Sequence, residues 1–217
     1  MRRTVVFDLD GTLVDSAPDL AAALSRLMAA RGLPGFGQEE VIPMIGDGAR
    51  LLLERAFAAR GLPPDDAALP AFLADYEANA ARATRPFPGI PEALEALSAA
   101  GWALAVCTNK PAAAARGLLA ALGLQDAFAA ILGGDSLPVR KPDPAHVLGA
   151  VAAAGGDPRR AAMVGDHAND MRAAAAAGIP ALFCAWGYGR PDMAMGAPVA
   201  RRAAELPGLL EAILPAA

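Results

Sequence analysis

Val5-Val6-Phe7-Asp8-Leu9-Asp10-Gly11-Thr12-Leu13-Val14-Asp15-Ser16 is a short apolar run that stops on two carboxylates and a glycine. The run is continuous rather than alternating, the pattern of a strand covered on both faces in a parallel sheet. Side chains two apart on a strand share a face, so Asp8 and Asp10 are expected to project together where Gly11 lets the backbone turn. Carboxylates crowded in this way repel each other, and a proton, a cation or a hard metal ion relieves the repulsion. Aspartate is also common wherever a strand opens into a loop, so this stretch alone leaves the plainer reading standing.

Working outward, further apolar runs at 103–108, 130–133, 161–165 and 181–185 read as strands of the same kind. Between them lie Ala/Leu-rich helical stretches at 91–100, 112–122, 145–154 and 170–177, each followed by a glycine stop. A last helix is predicted over 203–214, bent or broken at Pro207. Alternation of this kind predicts an α/β fold, a doubly wound, Rossmann-like parallel sheet of about five strands.

Residues 16–84 break the rhythm, because they hold helical patterns with no strand between them. Ser16 is placed to cap a helix whose first turn contains Pro18 and Asp19 and which Gly32 ends. Further helices are predicted over 38–42, 49–59 and 65–82. Residues 14–16 and 85–88 are read as the hinge strands that lead into and out of this insertion.

Three more polar islands follow apolar runs: Val106-Cys107-Thr108-Asn109-Lys110, Arg140-Lys141-Pro142-Asp143-Pro144 and Met163-Val164-Gly165-Asp166-His167-Ala168-Asn169-Asp170. Ligands gather at the carboxyl ends of strands in an open parallel sheet, and all four islands fall there. In this order they resemble the four motifs of the haloacid dehalogenase-like hydrolase superfamily. Ile45-Gly46-Asp47-Gly48-Ala49-Arg50, Pro86-Phe87-Pro88-Gly89-Ile90-Pro91 and Trp186-Gly187-Tyr188-Gly189 are similar, more narrowly, to segments of bacterial phosphoglycolate phosphatases.

The resemblance implies an α/β hydrolase core at 1–15 and 85–217 and a helical cap at 16–84. It implies Asp8 as a nucleophile that forms an aspartyl-phosphate, and Asp10 as the acid and base that serves both half-reactions. It further implies Mg2+ held by the Asp8 and Asp166 side chains and the Asp10 carbonyl, with Asp170 facing back from a helix start in support. Lys141 is the implied fixed cation, and Thr108 with Asn109 offers a hydroxyl and an anion-binding turn. Gly46, Asp47, Gly48 and Arg50 are the candidates for closing over the substrate, Arg50 to read a carboxylate. Relatives often carry Asn in place of Asp47 and a small hydroxylic residue in place of His167, departures that leave a sugar or amino-sugar phosphate as the alternative to 2-phosphoglycolate.

Composition bears on the same question. Lys110 and Lys141 are the only lysines among 19 basic residues, and both fall in the polar islands. A net charge of -4 leaves no basic stripe for nucleic acid, and no apolar run approaches a membrane span, so a cytoplasmic enzyme, monomeric or homodimeric, with a small phosphorylated metabolite as its partner is expected. Cys107 and Cys184 sit in apolar runs and read as reduced packing residues. Residues 16–84 contain no lysine, which disfavours the Schiff-base chemistry of phosphonoacetaldehyde hydrolase, and Asp10 disfavours a dehalogenase. A receiver-type signalling domain, also phosphorylated on aspartate, is the remote alternative; it normally carries that residue on a middle strand of a shorter chain.

Overall fold

The structure, a computed structural model, describes residues 2–216. The opening run forms β1 (Thr4–Phe7), and the chain turns at Gly11 into β2 (Val14–Asp15). Four helices follow without a long strand: α1 (Ala17–Ala29), α2 (Gln38–Val41), α3 (Ala49–Ala59) and α4 (Ala68–Asn79). β3 (Arg85–Pro86) returns the chain, and α5 (Ile90–Ala99) and β4 (Ala103–Cys107) open the second stretch. Then come α6 (Ala112–Ala121), β5 (Ala130–Leu132), α7 (Pro144–Ala153), β6 (Ala161–Gly165), α8 (Ala168–Ala177), β7 (Ala181–Cys184), β8 (Val199–Ala200) and α9 (Leu206–Ile213).

Six strands make one sheet in the order β5-β4-β1-β6-β7-β8, every pair parallel. The first strand in the chain is thus central in the sheet, and the strand order reverses beside it. Side chains alternate across β1: Val5 and Phe7 pack with α5, α6 and α9, whereas Val6 packs with α7 and α8 on the other face. Because both faces are covered, the strands carry apolar residues at successive positions, as expected.

The sheet has one strand more than the five expected. β8 is only two residues long and half exposed at the edge, too short to leave a hydrophobic signature. Pro207 does not break the last helix. It sits in the first turn of α9, where its missing N–H has no partner to lose, and residues 203–205 form a separate short turn. α8 begins at Ala168, two residues before the predicted start, because His167 rather than a later residue caps it.

β2 and β3 pair antiparallel, Val14 with Pro86 and Asp15 with Arg85, and tie both ends of the helical stretch to the sheet. The helices between them have a core of their own, built on Leu24, Met28, Val41, Leu53, Phe57 and Phe72. Ser16 precedes α1 but makes no capping hydrogen bond, because its hydroxyl is committed elsewhere. Asp19 in the first turn instead accepts from the backbone of Ala83 and Thr84 and from the Thr84 hydroxyl, clasping the start of the insertion to its end. No helix among the described residues is long and apolar enough to cross a membrane.

Candidate active site

The carboxyl ends of β1, β4 and β6 and the loop after β5 converge. Asp8 continues the β1 ladder, its N–H donating to Val164 O at 2.9 Å, and its side chain is buried. Asp8 Oδ1 accepts from Leu9 N at 2.7 Å and lies 2.9 Å from Lys141 Nζ. The same ammonium reaches Asp170 Oδ1 at 2.7 Å. Asp170 stands at the third position of α8, where its other oxygen accepts from His167 N at 3.0 Å; it caps the helix and faces the site at once.

Asp166 completes a cluster in which Asp8, Asp166 and Asp170 bring carboxylate oxygens within 4.8 Å of one another. Thr12 donates to Asp166 Oδ1 at 2.8 Å, and the backbone of Tyr188 and Gly189 donates to Oδ2 at 2.8 and 3.3 Å. A Cβ at Gly11 would collide with this carboxylate, as would one at Gly187, so glycine is required for close approach as well as for the turn at φ 84°. One ammonium pairs with two of these three buried carboxylates and Asp166 has only neutral donors, so the donor set is all oxygen and under-neutralised. Such a set fits a hard divalent cation.

Burial pushes the Asp8 carboxyl up to about 6 against the pull of Lys141. Burial, then the charges of Asp8 and Asp170, push Asp166 up to about 8. For Lys141, burial works downward, but Asp170 and Asp8 outweigh it and hold the ammonium charged. Both aspartates therefore bind protons in the folded state that the unfolded chain releases, so their contribution favours folding below about pH 4 and is lost as pH rises toward 8. In chelator, Tm should fall by about 5 °C or more between pH 5 and pH 8, and a divalent cation should reverse the fall at pH 8. Melting curves at a series of pH values with and without the cation test this; a flat profile in chelator contradicts it.

Asp10 does not share the Asp8 cluster. β1 ends at Phe7 and the backbone turns, so each of the two carboxylates has its own lysine rather than crowding the other. Asp10 is held by Lys110 Nζ at 3.0 and 3.1 Å and by the Ser16 hydroxyl at 2.6 Å. This explains the missing cap on α1. It also makes Lys110 and Ser16 site residues, roles that neither motif order nor helix-capping logic assigns to them.

Asp8, Asp10, Thr108, Asn109 and Lys110 line one side of a cavity of about 40 Å³; Leu20, Ile45, Leu52, Phe72, Leu73 and Tyr76 line the other. Gly46 and Gly48 reach its rim from the insertion, and Lys141 lies behind Asp8, outside the lining. Asn109 Nδ2 donates to Gly46 O and to Lys141 O, both at 3.0 Å, and Asn169 Nδ2 donates to Asp47 Oδ1 at 2.7 Å. These bonds hold the 46–48 loop against the sheet end.

Two expectations for this loop are corrected. Arg50 is on the outer flank, more than half exposed and paired with Asp66 at 3.2 Å, because the helical turn of α3 carries it away from the cavity. Asp47 is not a free acid facing the substrate: Arg55, two turns into α3, pairs with it. Sequence reasoning quoted the segment of Tyr188 without giving it a role; its hydroxyl donates to Asp15 at 2.7 Å and accepts from Ser16 N and Ala17 N. A signal was present, since the chain has two tyrosines, Tyr76 and Tyr188, and both stand at the site.

A family model described as haloacid dehalogenase-like hydrolase matches residues 2–178. The chain is 48% identical over 189 residues to a phosphoglycolate phosphatase of Caulobacter vibrioides, covering 85% of this chain and 80% of that protein. A crystal structure of a predicted phosphoglycolate phosphatase from Haemophilus somnus superposes with a TM-score of 0.87 at 33% identity, covering 96% of this chain and 97% of the other. CbbY from Rhodobacter sphaeroides, crystallised with phosphate, superposes with a TM-score of 0.81 at 25% identity, over 95% of this chain and 96% of the other.

Proposed function

The chain belongs to the haloacid dehalogenase-like hydrolases, and from that premise we propose that it is a phosphomonoesterase that cleaves 2-phosphoglycolate to glycolate and phosphate. The observation that carries this is Asp8: a buried carboxylate held by Lys141, beside Asp166 and Asp170, opening on a cavity of about 40 Å³. The 48%-identical relative named a phosphoglycolate phosphatase favours a two-carbon organic part, and the pairing of Asp47 with Arg55 removes the acid that a sugar reading called upon.

In this reading Asp8 attacks phosphorus, and the bond from phosphorus to the ester oxygen breaks as the aspartyl-phosphate forms. Leu9 N–H and Lys141 hold the attacking carboxylate in one orientation. Asp10, fixed by Lys110 and Ser16, gives its proton to the departing alkoxide oxygen. It then takes a proton from the water that attacks the phosphoenzyme, which releases phosphate and restores Asp8. Thr108 and the backbone turn to Lys110 N, 3.2 Å from its hydroxyl oxygen, orient the phosphoryl oxygens at the start of α6. Asp8, Asp166 and the Asp10 carbonyl would hold Mg2+, with Asp170 in support. When bound, the ion supplies the positive charge that lets an anionic nucleophile approach a phosphate.

Residues 16–84 act as the cap over this chemistry. Their separate apolar core, the β2–β3 ribbon and the few polar bonds from Asn109 and Asn169 support a body that closes on the site and opens at the ribbon.

A panel of phosphate esters tests the substrate. kcat/KM for 2-phosphoglycolate should exceed that for glucose 6-phosphate by more than about tenfold, equivalent to about 1.4 kcal/mol in the barrier. Chelation should remove the activity. A reversed ranking overturns the substrate assignment and leaves the phosphatase class standing.

A further inference from the structure

The side chains that the helical insertion turns toward the cavity are apolar except at one atom, the Tyr76 hydroxyl. Tyr76, in α4, lines the cavity with 2% of its surface exposed, and its hydroxyl makes no hydrogen bond of good geometry, the Lys110 ammonium being the charged group that interacts with it. Burying an unpaired hydroxyl forfeits its hydration for nothing, and phenylalanine would pack the same space without that loss. A hydroxyl kept in such a place points to a partner that arrives with the ligand.

The neighbouring group specifies the partner's chemistry. Lys110 Nζ stands 4.4 Å from the centre of the Tyr76 ring and is, among the described residues, the one cationic side chain lining the cavity. Asp10 occupies one side of this ammonium, at 3.0 and 3.1 Å, and an ammonium has three donors. The two arginines of the cap loop region are otherwise engaged, Arg55 with Asp47 and Arg50 with Asp66 on the outer flank. An anionic group on the organic end of a substrate that reaches this wall meets Lys110, and among the described residues the Tyr76 hydroxyl beside it is the one buried side-chain polar atom of the cap without a hydrogen bond.

We propose that Tyr76 Oη and Lys110 Nζ form the subsite for a carboxylate on the organic part of the substrate, Tyr76 donating one hydrogen bond and Lys110 supplying charge. The proposal rests on the reading of the protein as a phosphomonoesterase. It makes Tyr76 a specificity-determining residue: it reads the carboxylate and takes no part in the chemistry at phosphorus.

The test compares 2-phosphoglycolate with ethyl phosphate, which replaces the carboxylate by a methyl group, on the unaltered protein and on Tyr76→Phe. The unaltered protein should prefer 2-phosphoglycolate. Tyr76→Phe should lose about 10- to 100-fold in kcat/KM on 2-phosphoglycolate, chiefly in KM, and change less than about threefold on ethyl phosphate. Inhibition by glycolate should weaken in parallel, and Tm should not fall, because the hydroxyl removed makes no hydrogen bond of good geometry. Equal loss on both esters, or no loss on either, overturns the subsite. A preference that Tyr76→Phe retains overturns the subsite alone. Absence of any preference in the unaltered protein overturns both the subsite and the assignment of 2-phosphoglycolate.

Discussion

Asp8→Asn lowers kcat by on the order of 10⁴-fold or more, with the fold intact. The amide has nearly the shape of the carboxylate and keeps an oxygen for Leu9 N–H and Lys141, but it has no charge with which to attack phosphorus. Burial already pushes the Asp8 carboxyl up to about 6, so a neutral group is tolerated there, and Lys141 retains Asp170. The expected Tm therefore lies within a few degrees of the parent. Steady-state phosphate release and a melting curve measure the two quantities. Acid-quenched protein turning over substrate should carry phosphate on the peptide that contains residue 8, and the variant should carry none. Undiminished hydrolysis by Asp8→Asn would remove the basis of the proposed mechanism.

Lys141→Ala damages stability and activity together. Its ammonium is 1% exposed and is, among the described residues, the only cation in contact with Asp8 and Asp170, so its removal leaves buried carboxylates facing one another. Breaking a buried ion pair from one side costs about 3–5 kcal/mol, which for a chain of this size lowers Tm by about 10 °C in chelator. Loss of charge against the nucleophile and the phosphoryl oxygens lowers kcat by about 10³-fold. Added divalent cation should recover part of the Tm and little of the rate, because the ion neutralises the acids without replacing a donor at the Lys141 position. Lys141→Arg is not a rescue, since a planar fork does not fit where a compact charge bridges two carboxylates. A Tm within 2 °C of the parent in chelator, or full activity, would contradict this account.

Much of the site was legible because its chemistry demands uncommon residues at strand ends. Asp8, Thr108 and Asp166 each follow a buried apolar strand, and a parallel sheet brings such ends together, while Lys141 reaches them from the loop after β5. The cap residues were less legible. Arg50 and Tyr76 both lie on helices, where one residue of displacement rotates a side chain by about 100°. Position in the sequence therefore does not say which faces the cavity, and Arg50 turned outward while Tyr76 turned in. Ser16 carried a capping signature that the structure overrides, because its hydroxyl is used by Asp10.

The amino-acid sequence by itself determined the α/β class, the helical insertion after the first strand and the acidic and cationic residues at the strand ends, since these rest on local periodicity and on backbone turns. Only the tertiary structure decided which charge meets which. Lys110 is assigned to Asp10, Lys141 to Asp8 and Asp170, and Arg55 to Asp47, the Lys110–Asp10 and Lys141–Asp8 pairs across about a hundred residues or more of chain. Ion pairs and unpartnered hydroxyls depend on separations of a few ångströms between distant segments, and no spacing along the chain encodes these.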